Sequence, residues 1–175
     1  SPYSVVNTSS IFSTGLTGTG ASSSAVEAFF SGTNAGNGAT SADYATFIGS
    51  GAGQGATSAL SSNFLGQNAG YGATGAAYSN FLGFSSGYQA TGAQGSNFFG
   101  YNAGYQATNA QDSFFIGNAA GYTATNASNS IFIGTSAGNA DTVNNTVSGY
   151  SILLGSYTNT GGFKNSILLG SGTSG

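Results

Sequence analysis

Charge is almost missing from this chain of 175 residues: four acids stand against one cation, Lys164, for a formal net charge of −3. One cation cannot neutralise a run of phosphates, so nucleic acid is excluded as a partner, and an anionic membrane surface finds little to hold. Histidine and cysteine are absent altogether. Without them the usual acid–base, nucleophilic and thiolate–metal constellations lose their central member, and no disulfide framework can form. The expectation is a protein that is not an enzyme and carries no metal or cofactor. No apolar run approaches the roughly 18 residues of a spanning helix, so no membrane insertion is expected within this segment. Methionine is absent too, and with the opening SPYSVV the expectation is a processed or excerpted segment.

What the chain does contain is glycine, 31 residues of it, and aromatic side chains at 13%. Glycine with so little charge fits a disordered low-complexity chain, but phenylalanine at a fixed period does not. The period is 17. Taking the glycine that closes each aromatic triplet as position zero, it falls at Gly32, Gly49, Gly66, Gly83, Gly100, Gly117 and Gly134. Two residues earlier stand Phe30, Phe47, Phe64, Phe81, Phe98, Phe115 and Phe132. A second glycine recurs at plus four, from Gly36 to Gly138, and threonine recurs at plus eight, from Thr40 to Thr142. After Gly134 the spacing loosens, reaching Gly155 after 21 residues and Gly170 after 15.

A 17-residue unit is too short for a helix pair, which needs about 33 residues or more. Glycine every few residues also opposes helix, at about 1 kcal/mol per position. Short bursts such as NFFG and SIFIG between glycine, asparagine and serine read as strands and turns. The fold expected is therefore all-β, a parallel β-solenoid of about seven 17-residue coils with two strands and two turns each, plus divergent end rungs. Residues 1–28 form an irregular segment or a degenerate first rung around Gly15. The regular solenoid runs over 29–142, and 143–175 are divergent rungs with a loop inserted through NADTVNNTVSGY. Coils stack at about 4.8 Å, so a charge at any repeated position would sit about 5 Å from its own copies, which accounts for the scarcity of charge.

Alternation along a strand sends neighbours to opposite faces. With the phenylalanine at minus two inside as a core ladder, the residues at minus one point out: Ile48, Leu65, Leu82, Phe99, Ile116 and Ile133. Either the strand is twisted so that both columns are core, or this stripe lines an interface between identical chains. The second is expected, because six such residues exposed in a row make an aggregation-prone patch. Three chains meeting on a common axis bury all of them at once.

The stretches NFFGYNAGYQATNA, NSIFIGTSAGN and NSILLGSG resemble the repeats of YadA-like heads in trimeric autotransporter adhesins, and the similar glycine-closed repeats of phage tail fibres and other surface fibres. The resemblance covers residues 29–175. It implies a left-handed parallel β-roll, three chains wide, displayed outside a cell or on a virion. The unit here is longer than the family's usual one, phenylalanine stands where a small residue is more frequent, and no ligand-binding residue transfers.

Three functions follow as expectations. The first is a structural or adhesive fibre segment of an extracellular, cell-surface or virion-surface protein, a rigid spacer that also binds a host glycan or protein receptor. The tyrosines at plus five, Tyr71, Tyr88, Tyr105 and Tyr122, could stack on glycans if they face outward, or else pack the coil edge. The second is a self-assembling filament with coils stacked end to end. The third is an ice-binding solenoid using the column Thr57, Thr74, Thr91, Thr108 and Thr125, although a flat face needs two matched columns. Asp112 and Asp141 lie close enough along the axis to pair, against the simpler reading of isolated solvated acids. Asn7, Asn126 and Asn144 begin glycosylation sequons.

Overall fold

The computed structural model describes residues 25, 27–145, 150–172 and 174–175. The expected first rung over 1–28 therefore lies outside the described residues, apart from Ala25, Glu27 and Ala28, as does Asn7. Eleven short strands carry the fold, and no helix occurs among the described residues: β1 (Phe29–Ser31), β2 (Thr46–Ile48), β3 (Asn63–Leu65), β4 (Asn80–Leu82), β5 (Asn97–Phe99), β6 (Phe114–Ile116), β7 (Thr125–Ala127), β8 (Ser130–Ile133), β9 (Thr142–Asn145), β10 (Ser151–Leu154) and β11 (Ile167–Leu169). Nine of them form one parallel sheet in the order β1-β2-β3-β4-β5-β6-β8-β10-β11. Each pairs with the next in register, Phe on Phe and zero-glycine beside zero-glycine. This is a β-solenoid, and one strand of the sheet closes each coil.

The second strand expected in every coil is reduced to one residue. Thr57, Thr74, Thr91, Thr108 and Thr125 form a parallel ladder of single bridges. The reason is local. Positions plus six and plus nine on either side of the threonine are left-handed, as at Gln89 and Gln106 before it and Ser58 and Asn109 after it. An extended run between them cannot lengthen. At Val143 that left-handed residue is lost, and β9 grows to four residues paired with β7. The inserted segment expected as a loop is thus strand over Thr142–Asn145, with a one-residue register shift against β7.

The interior holds one large side chain per coil. Phe47, Phe64, Phe81, Phe98, Phe115 and Phe132 are fully buried, with Phe30 nearly so. Their rings stack down the axis with centroids 4.6 to 4.8 Å apart. Small residues wall them in. Alanine fills plus seven and plus ten and most of plus three, for example Ala69, Ala73 and Ala76 of one coil, all buried. At minus four, Ser62 donates to the Ala76 carbonyl at 2.6 Å and accepts from the Ser79 amide at 3.2 Å. Ser79, Ser96 and Ser113 repeat the pattern, so a column of buried hydroxyls stitches each coil to the next without leaving a polar atom unpaired.

The glycine at plus four belongs to the same packing. It is left-handed in all seven coils, and a Cβ there would overlap the phenylalanine ring of its own coil, Phe81 for Gly87 and Phe132 for Gly138. Ring and glycine are one device: the ring fills the coil only because the turn above it has no side chain. In the last two rungs Leu153 and Leu168 replace phenylalanine, and the plus-four residues become Asn159 and Ser174.

Candidate functional site

The strand alternation resolves the two readings of the stripe. The ring at minus two is inside and the residue at minus one is outside, so a twist burying both is excluded. Ile48, Leu82 and Ile133 are exposed, and Leu65, Phe99 and Ile116 are half-buried. The outer face carries a further column at minus three that the sequence reading left out. Over β3–β5 it is an amide ladder, Asn63 donating to Asn80 and Asn80 to Asn97, each at 2.7 Å. From β6 onward it becomes Phe114, Ile131, Ile152 and Ile167. Phe99 and Phe114 meet edge to face at the changeover. The face is thus one apolar column wide in its first half and two wide in its second, ending on Ile167 and Leu169, 70% and 66% exposed.

Tyr71, Tyr88, Tyr105 and Tyr122 lie half-buried on another side of the coil and stack on one another at 4.9 to 5.1 Å. Within the ladder each ring covers its neighbour's face, leaving edges and hydroxyls to solvent. Burial, with Tyr88 and Tyr122 on either side, pushes the Tyr105 phenol above its ordinary value. The threonine column faces out, Thr74 exposed and Thr57, Thr91, Thr108 and Thr125 half-buried. Two residues before it the column reads Gly38, Gly55, Gly72, Gln89, Gln106, Thr123, Ala140, so no second hydroxyl row runs beside it.

Asp112 and Asp141 do not pair. Asp112 is exposed and accepts from Gln111, while Asp141 is buried at plus seven, the place of six consecutive alanines. Its carboxylate accepts the Thr160 amide at 2.6 Å and the Thr160 hydroxyl at 2.8 Å, and Gly162 donates its amide as well. The carboxylate thus serves as the buried acceptor for these backbone and hydroxyl donors of the last rungs. Burial pushes the carboxyl above its ordinary value, against the pull of the three hydrogen bonds. Among the described residues no group of three His, Cys, Asp or Glu could hold a metal ion, and no helix is long and apolar enough to cross a membrane.

Beside that junction, where the 17-residue step is lost, lies a cleft of about 310 Å³ lined by Ser136, Asn139, Tyr157, Thr158 and Asn159. The sequence reading missed these residues. The signal was present: Tyr157 breaks a plus-two column of small residues, but only if that column is followed across the 21-residue step. Neither family models nor curated proteins nor solved structures give a match to this chain.

Proposed function

We propose that this chain is a non-enzymatic structural and adhesive segment of an extracellular, cell-surface or virion-surface fibre, built as a homotrimer on its outward apolar stripe. The observation that carries the reading is the stripe itself. Its residues run unbroken up a sheet whose other face is already filled by the phenylalanine ladder, and each one covered by a partner contributes roughly 1.5–3 kcal/mol. Nothing in the stripe is charged, so identical copies can approach in parallel without like-charge repulsion. The nine-stranded sheet is about 38 Å long at about 4.8 Å per strand, a stiff spacer for its mass. The resemblance to YadA-like heads and tail-fibre repeats points the same way, toward a left-handed β-roll three chains wide.

Solution mass tests this. Light scattering on a size-exclusion column should return three chains for the protein and one for the variant with Leu82→Asp and Phe99→Asp together. A wild-type mass of one chain, or an unchanged mass for the variant, contradicts the reading. A second reading is favoured by one observation: the coils pair parallel and in register along the whole sheet, and end-to-end assembly into a filament would continue that ladder from chain to chain. A very large, polydisperse mass is its signature. The threonine column, standing alone, gives the ice-binding reading no such support.

A further inference from the structure

We propose that the cleft at the junction of the seventh regular coil and the C-terminal rungs binds a neutral pyranose, seated on the ring of Tyr157 with its hydroxyls toward Asn139, Asn159 and Ser136. One column changes character at this junction. At plus two the regular coils carry Asn34, Gly51, Asn68, Ser85, Asn102, Ala119 and Ser136, all small and all left-handed. Tyr157 takes the same place with φ 57°. A bulky side chain in that region costs roughly 1–2 kcal/mol, and although Tyr44 and Tyr78 adopt it elsewhere in the coil, Tyr157 alone does so in this column.

The ring is also available. Tyr157 is 65% exposed and, unlike the Tyr71–Tyr122 ladder or the Phe84–Tyr101 pair, has no aromatic neighbour stacked on it. Around it the cleft supplies hydrogen-bonding groups without charge. The Asn139 side-chain carboxamide and the hydroxyls of Ser136 and Tyr157 make no hydrogen bond to protein among the described residues. Asn159 is held by its Oδ1, which accepts from the Gly161 amide at 2.8 Å, leaving its two N–H donors for a ligand. Thr158 closes the floor, its hydroxyl turned to the Gly155 carbonyl.

This donor set selects a ligand class. Asp141, the carboxylate nearest in sequence, is turned inward on Thr160, and no lining side chain is charged, so neither an anion nor a cation finds a partner. A sugar ring offers an apolar C–H face for the aromatic and hydroxyls for the amides, which matches one ring flanked by amide and hydroxyl groups. The volume stands at the low end of the roughly 300–1,000 Å³ of small-molecule sites, room for a terminal sugar of a longer glycan. The proposal names a ligand class and a place for the adhesive part of the fibre reading, and rests on that reading only for its biological use.

The test is saturation-transfer NMR on the intact chain with the methyl glycosides of glucose, galactose, mannose and N-acetylglucosamine. Tyr157→Gly is the decisive variant, because glycine relaxes the left-handed backbone, so lost binding cannot be blamed on unfolding. Tyr78→Gly is its control, an exposed tyrosine with φ 60° within the regular coils. At least one sugar should receive saturation from the wild type and from Tyr78→Gly, with affinity for Tyr157→Gly weaker by roughly tenfold or more. No transfer to any of the four sugars, or equal transfer from Tyr157→Gly, overturns the proposal. Mass is read separately: a single chain that binds sugar contradicts the trimer alone, and a trimer that binds none contradicts the saccharide site alone.

Discussion

The seven regular coils and the two C-terminal rungs solve the same problem with different parts. In the regular coils the inner columns are nearly uniform, so each coil is a template for the next: ring on ring, alanine on alanine, serine hydroxyl to the next amide. In the C-terminal rungs the ring becomes Leu153 or Leu168, the plus-four glycine becomes Asn159 or Ser174, and a buried carboxylate supplies what the shortened backbone cannot. Repetition makes stability cheap to specify but keeps the surfaces of successive coils similar. Departure from it opens a cleft, which is where a distinctive surface arises.

The largest expected difference between the two regions lies in the core. Phe81→Ala should lose about 3–5 kcal/mol, because its stacked neighbours cannot close the space. Leu168→Ala, only half-buried in the last rung, should lose markedly less. Chemical denaturation of both variants checks this, and equal losses would erase the distinction.

Next comes the junction. Asp141→Ala restores the alanine of the column but strands the Thr160 amide, at about 1–3 kcal/mol for such an unpaired group. The pH dependence has a definite sign. The folded chain holds this carboxyl above its unfolded value, so the folded state binds the proton more tightly. The group's contribution is therefore most favourable at low pH and falls as the pH rises from the ordinary value of 3.8 through the raised folded value. Thermal melts across that window should show this slope in the wild type and lose it in Asp141→Asn.

The smallest effect belongs to the outer amide ladder. Asn80→Ala removes both of its side-chain hydrogen bonds and should cost about 1 kcal/mol, the low end for two partly exposed bonds of about 0.5–1.5 kcal/mol each. Leu82→Ala, beside it on the same face, should leave the isolated coil almost as stable while weakening the trimer proposed above, which dilution followed by light scattering would show.

Much of this was legible in the sequence because the fold is periodic. The zero-glycines fixed the step, the phenylalanine column fixed the inside, and alternation put Ile48, Leu65, Leu82, Phe99, Ile116 and Ile133 outside. What stayed hidden was the role of the small residues. Alanine at plus three, seven and ten has no signature until the width of the coil is known, and a glycine's reason lies in the ring beneath it. The shortened second strand depended on left-handed residues such as Gln89 and Gln106, types that do not announce that conformation. Asp141 read as a solvated acid because a single residue cannot show that its column is buried.

The account's central claim is that the ring at minus two and the glycine at plus four act as one unit, whose loss distinguishes the last rungs from the first seven. A double-mutant cycle on Phe81→Leu and Gly87→Ala, read by denaturant unfolding, tests it most directly. Gly87→Ala alone should be strongly destabilising, from a Cβ against the ring and an alanine at φ 63°. With Phe81→Leu present the clash is relieved, and the double variant should be more stable than the sum of the single effects by about 1 kcal/mol or more. Additive losses would mean that the glycine serves only its backbone angle, and that ring and turn are independent.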